Sequence, residues 1–369
     1  MSAACGLQDR AKVEWLSRNA ISVRSIDLAD DDFTDFLPLR RTIGGARIVL
    51  LGESGHGDGA TFRAKERLIR FLHERMGFDI LAWESGFFDC EEMNRALASD
   101  MLALEAAQQG VFGVWSEGQI LAPLFEYIRA TMKTDHPLHQ TGFDIQHLGS
   151  TAKRILATVD ARQRKDVEEF LAAIEVDSHG ADAILDRLRA KNQRFLIKSL
   201  EDLAAREQPR LNLREAVAHP DYRDRKMGEN LVWLAREWYP RSKIVVWAAN
   251  FHVAHGQETG YVRMGDLAYR QLGDAIYSIG FTSYGGEIGT PGHAPSSLAR
   301  PPSGSLESLL HTTGKPYMLI DFRGLPHDHW LRKPMVARFF NYSDARSIWP
   351  DKFDAMFYSD VMFPNAGAK

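Results

Sequence analysis

The stretch "RIVLLGESGHGDGATF", residues 47–62, joins an apolar segment to a glycine-rich loop. Its apolar residues follow one another without polar interruption, which is typical of a strand covered on both faces. The loop carries Glu53 and His56 among its glycines. Residues 61–78 then place apolar side chains near helical spacing, and Gly77 is a plausible stop. Residues 47–86 therefore predict a β–α–β unit with parallel strands.

The same short apolar pattern recurs along the chain and predicts a sheet. The segments are 47–53, 78–86, 139–146, 243–252, 275–286, 316–324 and 353–363. Residues 87–240 are instead dominated by charged helical patterns. We expect an α/β protein, a three-layer α/β/α fold with a mostly parallel central sheet. A single domain over residues 1–369 would have a sheet core at 47–149 and 241–363, and a large helical insertion at 150–240 would form a second lobe, or lid, over the cleft.

Composition excludes several classes of function. The chain has 369 residues and a net charge of −4, so it lacks the basic surface that nucleic-acid binding requires. No window approaches the apolar length of a membrane span, and the first residues lack the apolar core of a signal peptide. Cys5 and Cys90 cannot build a disulfide framework and indicate free thiols in a reducing compartment. We therefore expect a cytoplasmic protein with no nucleic-acid or membrane partner.

Polar side chains follow four of the predicted strands, where each strand ends. Because ligands bind beyond the carboxyl ends of strands in an open α/β sheet, we expect these side chains to meet in one cleft. They are Glu53 and His56, Glu84, Asp144 and Gln146, and finally Asn250, His252 and His255.

Each of these residues also has a structural interpretation. The loop after residue 51 could be a helix N-terminal turn with Glu53 near the positive end of the helix dipole. The functional interpretation is that its glycines let the backbone approach a substrate while His56 takes a proton from water. Glu84 could pair with a cation at the sheet edge or orient a histidine, and His252 could be a core residue. The loop is not a phosphate-binding motif, and Ser54 does not sit in a nucleophile elbow.

The ordered set of motifs resembles the erythromycin esterase family over most of the chain. The matching segments are "LLGESGHGDG" (50–59), "RLIRFLHERMGFDILAWESG" (67–86), "GVFGVWSEGQILAPLFEYIR" (110–129), "GFDIQ" (142–146), "YRDRKMGENLVWL" (222–234), "KIVVWAANFHVAHG" (243–256) and "FDAMFYSDVMFP" (353–364).

The resemblance implies residue roles. The family's proposed catalytic histidine corresponds to His56, its partner glutamates to Glu53 and Glu84, and its second active-site histidine region to Asn250 and His252. The family is thought to act without metal or cofactor, with histidine activating water against an ester carbonyl. The remaining predicted substrate-binding residues are Lys65, Trp115, Asp144, Gln146, Arg223 and His255.

The leading hypothesis is a metal-independent hydrolase of a small-molecule ester or lactone, of macrolide type or a related natural product. A cyclase or another transferase could use the same cleft. A metal-dependent version is chemically possible with Glu53, His56, Glu84 and His252 as ligands. Ala249 stands where the family pattern has histidine, which motivates a third alternative, a small-molecule-binding homologue with impaired catalysis.

Overall fold

The computed structural model describes residues 3–176, 178–211, 219–256 and 260–365. Within these ranges nine strands form one sheet, and two further strands form a separate antiparallel pair. The strands are β1 (Ile21–Ser22), β2 (Ile48–Leu51), β3 (Ile80–Gly86), β4 (His139–Asp144), β5 (Ile244–Trp247), β6 (Ile276–Ile288), β7 (Ser296–Leu298), β8 (Tyr317–Asp321), β9 (Met335–Phe340), β10 (Ser343–Ser347) and β11 (Ala355–Met362).

The sheet is parallel at its centre and antiparallel at one edge. Its strand order is β1-β8-β11-β6-β2-β5-β3-β4, with β7 paired to β6. All neighbours from β11 to β4 run parallel, whereas β1, β7 and β8 pair antiparallel. The predicted β–α–β unit is present, but β5 lies between its two strands, because β2 and β3 both pair with β5.

Helices surround the sheet and fill the middle of the chain. They are α1 (Ala3–Asn19), α2 (Leu37–Ile43), α3 (Gly59–Met76), α4 (Phe87–Leu97), α5 (Ala103–Ala107), α6 (Gly113–Ser116), α7 (Ala122–Thr131), α8 (Thr151–Thr158), α9 (Ala161–Val176), α10 (Ser178–Ala190), α11 (Arg194–Leu211), α12 (Tyr222–Trp233), α13 (Asn250–Val253), α14 (Met264–Leu272) and α15 (Leu306–Thr312). Single 3₁₀ turns cover Phe33–Phe36, Gln119–Leu121, Gly273–Ala275, Trp330–Arg332 and Trp349–Asp351, and a π-helical turn covers Leu234–Trp238.

Alternating strand residues build a core on each face of the sheet. On β2, Val49 and Leu51 pack into one core with residues of α3 and α7, while Ile48 and Leu50 pack into the other with residues of α12 and α14. The period of two along a strand requires this division. It explains why the strand is apolar throughout and confirms the predicted three-layer α/β/α class.

The segment 150–240 contains helices α8 to α12 and no strand in its described part. Helices α8 to α11 bury a small apolar core that includes Phe170, Leu188 and Leu200 and to which Phe88 of α4 contributes. Helix α12 packs instead against the main sheet through Met227 and Leu231. The domain boundaries at residues 150 and 240 stay a prediction. Residues of α12, which lies inside this segment, belong to the same apolar core as residues of the main sheet.

The structure locates the end of β5 and the thiol of Cys90. The predicted strand 243–252 ends at Trp247, and residues 250–253 form one helical turn. Cys90 is a buried free thiol, whereas the side chain of Cys5 lies outside the described residues. None of the helices in the described ranges combines the length and apolar character that crossing a membrane requires.

Candidate active site

Four adjacent parallel strands, β2, β5, β3 and β4, bring their carboxyl ends to one edge of the sheet. Leu51 and Trp83 are both in register with Trp247, the last residue of β5, so the residues that follow them lie at the same level of the sheet. Glu53 and Glu84 therefore emerge beside the 249–252 turn. They are buried, as is Asp144 at the end of β4.

Glu53 is the centre of the first cluster. One carboxylate oxygen accepts hydrogen bonds from His56 Nδ1 at 2.8 Å and from Trp115 Nε1 at 3.2 Å. The other accepts from Lys65 Nζ at 2.6 Å. Because a carboxylate only accepts, the His56 proton resides on Nδ1 and leaves Nε2 as the basic nitrogen. This is the tautomer that a general base needs.

His56 is the exposed member of this cluster. Its side chain is 43% exposed, whereas Glu53 is fully buried. Burial opposes protonation, but the hydrogen bond and charge of Glu53 outweigh it, and the charge of Glu84 adds to them, so the pKa of His56 is raised above its ordinary value. The Trp115 ring meets the imidazole edge to face at 5.4 Å and limits its rotation.

Lys65 is a buried counterion on helix α3. Its ammonium lies 4.1 Å from the centre of the Trp247 ring and 3.4 Å from the carbonyl oxygen of Ala248. Burial lowers its pKa, and the charge of Glu53 opposes that shift. The prediction that Lys65 binds substrate is untested; in the structure its ammonium binds Glu53.

Arg223 is the centre of the second cluster. Its guanidinium donates to Asp144 Oδ1 at 3.1 Å and Asp144 Oδ2 at 2.5 Å, and to Glu84 Oε1 at 2.9 Å. The other Glu84 oxygen accepts from the backbone N–H of Ala249 at 2.9 Å. Burial would raise the pKa of Glu84, but His252 and Arg223 hold it well below its usual range. Glu84 is therefore ionised and fixed.

His252 joins this cluster through both ring nitrogens. Nδ1 lies 2.8 Å from Asp224 Oδ1, and Nε2 lies 3.3 Å from Glu84 Oε1. The other Asp224 oxygen accepts from the Tyr261 hydroxyl at 2.7 Å. Although burial opposes protonation, Glu84 and Asp224 raise the pKa of His252 to about 10. His252 is thus an imidazolium at neutral pH, with Arg223 Nη1 3.4 Å from its Nε2.

The two histidines therefore differ in how many carboxylates stabilise the protonated ring and in how far the ring is buried. His56 has one carboxylate partner and an exposed ring, while His252 has two carboxylate partners and is buried. Placement between two carboxylates favours the cationic form of His252, whereas His56 keeps an exposed ring with a single carboxylate partner.

An open cleft of about 470 Å³ adjoins the second cluster through Arg223. Phe112, which contacts the Trp115 ring, lies on the cleft wall and links it to the first cluster. The volume is in the range of small-molecule sites. The lining residues are Phe112, Ile145, Gln146, His147, Arg206, His219, Pro220, Tyr222 and Arg223.

Asn250 and His255 are not brought together with these side chains. The Asn250 amide is fully buried and used internally: it donates to the carbonyl oxygens of Phe281 and Phe339 and accepts from the Phe281 N–H. The His255 ring packs against Tyr269 at 4.0 Å. Their predicted substrate contacts are untested, and the function proposed below does not use them.

Ser54 and the loop glycines also serve the fold. The Ser54 hydroxyl donates to the carbonyl oxygen of Phe281 at 2.9 Å and is buried. A Cβ atom on Gly52 would lie 2.0 Å from Asn250 Oδ1, and one on Gly59 would lie 2.6 Å from the carbonyl oxygen of Phe363. These two glycines make room for neighbouring protein segments, whereas the sequence interpretation had assigned the space to substrate.

The described residues contain no group of three or more histidine, cysteine or acidic side chains arranged to hold a metal ion. The four ligands considered from the sequence, two histidines and two glutamates, lie in two separate clusters. Glu53 is bound to Lys65 and Glu84 to Arg223, so each carboxylate already faces a cation.

Sequence reasoning missed three residues of the site. Asp224 stood next to Arg223 in the quoted helix motif but received no role; it binds His252. Tyr261, which binds Asp224, lies in an irregular segment without a recognisable motif. His147 follows directly after the strand-end residues 142–146, and that position was the available signal.

Fold and site define a class: an α/β protein with two carboxylate-bound histidines at the carboxyl edge of a parallel sheet. The family model described as Erythromycin esterase matches residues 73–362, which is most of the chain. The chain therefore belongs to the erythromycin esterase family. The matched range includes Glu84, Arg223 and His252 and begins after Glu53 and His56.

Named relatives agree with this assignment. The chain is 26% identical over 425 residues to "Putative hydrolase YbfO" of Bacillus subtilis (strain 168), covering 99% of this chain and 94% of that protein. It is 23% identical to "Erythromycin esterase type II" of Escherichia coli, covering 85% and 90%. A solved structure of a mutant of the erythromycin esterase EreC in its open conformation shares the fold, with a TM-score of 0.68, 18% identity and coverage of 93% and 98%. Family and relatives point to a hydrolase.

Proposed function

We propose that this protein hydrolyses a carboxylic ester or lactone with a water molecule activated by His56. The observation that carries the proposal is the Glu53–His56 pair, which leaves Nε2 of a partly exposed imidazole as the basic nitrogen. Family membership supports the reaction class. The substrate is a small molecule of the size that the cleft accepts, and macrolide lactones are one candidate class.

The first step forms the new carbon–oxygen bond. Nε2 of His56 takes a proton from water while the water oxygen attacks the ester carbonyl carbon, whose electron pair moves onto the carbonyl oxygen. Glu53 stabilises the imidazolium that forms, as a carboxylate does in hydrolytic triads. The negative carbonyl oxygen needs donors, and the His252 imidazolium and Arg223 supply positive charge at the neighbouring strand ends.

The second step breaks the old bond. The carbonyl re-forms, the alkoxide leaves, and the His56 imidazolium returns its proton to the alkoxide oxygen. The acid and alcohol products balance the ester and water consumed. Glu84 takes no part in bond making; its Oε1 holds Arg223 and His252 in position, while its Oε2 accepts from the backbone N–H of Ala249.

A panel of esters and lactones that includes a 14-membered macrolide, followed by mass spectrometry, tests this proposal. Wild-type protein should yield an acid product 18 Da heavier than a consumed lactone, and His56→Ala should lose turnover by about 10²-fold or more. Because the His56 side chain is 43% exposed, the variant should keep its melting temperature. Full turnover by His56→Ala would contradict the assignment of the base.

A binding protein without turnover is the second candidate, and Ala249 is the observation that favours it. Residue 249 offers only its backbone N–H to Glu84, where the family pattern has a histidine side chain. Tight binding of a panel member by wild-type protein with no product would favour this function. Cyclised or transferred products from the same panel would instead indicate the cyclase or transferase alternative.

A further inference from the structure

The cleft beside Arg223 has a wall of basic and neutral side chains. Its lining includes Arg206, Arg223, His147 and His219, and no acidic side chain is among the described residues that line it. Arg223 is already shared between Asp144 and Glu84. The cation that remains for a ligand is Arg206, which is exposed and forms no hydrogen bond or ion pair within the described part of the chain.

His147 supplies a second, independent observation. Its side chain is fully buried and lines the same cleft, yet neither ring nitrogen has a hydrogen-bond partner among the residues that the structure describes. Asp89 is the nearest carboxylate, at 3.8 Å from Nδ1, and it is occupied by Thr151, Arg154 and the backbone N–H of Leu148. A buried polar group without a partner costs free energy, so a ligand that satisfies it gains affinity.

The His147 ring packs tightly against the backbone of Gly86. A Cβ atom on Gly86 would lie 2.4 Å from His147 Nδ1 and 2.9 Å from Asp89 Oδ2. Only glycine at this position lets the ring sit against the start of helix α4. The imidazole is thus held in place with Nδ1 beside Gly86, so we assign the contact with a molecule in the cleft to Nε2.

We propose that this cleft binds a carboxylate on the acyl side or alcohol side of the substrate, through Arg206 and His147, so that the substrate is an acidic ester. The inference rests on the proposed function, since it names the substrate class of the same site. The Arg206 guanidinium, which has no ion pair within the described ranges, and one imidazole N–H suit a singly charged, planar carboxylate, which Arg binds through two parallel hydrogen bonds. A phosphate dianion would call for more positive charge than this wall offers.

Direct binding tests the subsite without requiring turnover. The probes are N-phenylsuccinamic acid and N-phenylbutanamide, which have the same anilide and differ mainly in a terminal carboxylate or methyl group. Calorimetry with wild-type protein should show tighter binding of the acid by about tenfold, equivalent to ~1.4 kcal/mol. Arg206→Gln should remove that preference, and 0.5 M salt should reduce it. Equal binding of the two probes by wild-type protein would overturn the proposal.

Two further variants make the result specific. Arg162 is an exposed arginine on α9 without an ion pair in the described residues, so Arg162→Gln is the matched control and should keep the tenfold preference. His147→Phe fills a similar volume and removes two unpartnered nitrogens, so it should keep or raise the melting temperature while weakening the acid probe. A lower melting temperature with unchanged affinity would show that His147 is structural and would remove it from the subsite.

Hydrolysis assays with two esters test the anion subsite and the hydrolase function separately. Phenyl hemisuccinate and phenyl butyrate are the ester counterparts of the two probes. Hydrolysis of both at equal kcat/KM, dependent on His56, would retain the hydrolase and overturn the anion subsite. Selective binding of the acid probe with no hydrolysis of either ester would retain the subsite and overturn the hydrolase.

Discussion

Replacing Glu53 with glutamine should destabilise the fold, because the change leaves a buried ammonium without its counterion. Lys65 and Glu53 are both fully buried, and 2.6 Å separates the charged atoms. Breaking one partner of a buried pair costs about 3–5 kcal/mol. After the change, Lys65 would face uncharged groups there: the glutamine amide oxygen, the carbonyl oxygen of Ala248 and the faces of the Trp247 and Phe281 rings. Urea denaturation of wild type and Glu53→Gln measures this difference in unfolding free energy.

The same substitution should change the pH dependence of catalysis. Without the Glu53 charge, burial acts on His56 with less opposition, so the pKa of His56 falls. The acidic limb of the kcat/KM profile should move to lower pH. The rate on the plateau should also fall by about 10²-fold or more, because the glutamine no longer stabilises the imidazolium or fixes one tautomer.

A double variant separates the two effects. In Glu53→Gln/Lys65→Met the uncompensated ammonium is gone, and a methionine of similar length fills its place. Replacing a buried ion pair with apolar groups is often neutral or stabilising, so unfolding free energy should return to within about 1–2 kcal/mol of wild type. Activity should stay low. If the single variant were as stable as wild type, or the double variant regained full turnover, the account of this cluster would be refuted.

Three further predictions concern single residues. Asp224→Asn should lower the pKa of His252 from about 10 toward its ordinary value, which NMR titration of the imidazole measures, since the variant removes one of its two carboxylate partners. Burial raises the pKa of Glu307 to about 7, so its proton stabilises the fold near pH 5 and this contribution is lost as the pH rises through 7. Glu307→Gln should therefore gain melting temperature relative to wild type between pH 5 and pH 8, and an equal difference at both values would contradict the assignment. Ser54→Ala should keep kcat within about threefold and cost about 1 kcal/mol of unfolding free energy, because the buried hydroxyl bonds backbone carbonyls and the Asn250 side-chain amide; loss of turnover with intact stability would instead indicate that Ser54 is a nucleophile.

The sequence predicts the sheet and its functional edge because both depend on local patterns. Apolar segments identify the parallel strands, and the polar residues Glu53, Glu84 and Asp144 lie within two residues of a strand end. Glu53, Glu84 and Asp144 were located in this way, and all three lie at the same edge of the sheet.

The direction of the side chains after β5 could not be predicted in the same way. The apolar run gives no signal that the strand ends at Trp247 and that a helical turn begins at Asn250. Successive residues of a helix are rotated by about 100°, so Asn250 and His252 point to nearly opposite sides. One binds backbone carbonyls in the interior and the other binds Asp224 and Glu84.

Contacts between residues far apart in the sequence could not be predicted either. Asp224 and Arg223 are neighbours on α12 and reach the site because that helix packs on the sheet, 79 residues after Asp144 and 139 after Glu84. No local pattern encodes such a contact. The family resemblance pointed to this helix motif, and the structure supplies the reason: it provides the guanidinium and carboxylate that position Glu84 and His252.

The most direct test of the central claim compares the titration of His56 with the pH dependence of the reaction. NMR of ring-labelled wild-type protein, with His56→Ala to assign the signal, gives the pKa of His56 itself. We expect a value above 6.5 and an equal pKa on the acidic limb of kcat/KM for a hydrolysed ester, with the rate rising as His56 loses its proton. A kinetic pKa that differs from the NMR value, or a rate that persists below it, would contradict His56 as the general base.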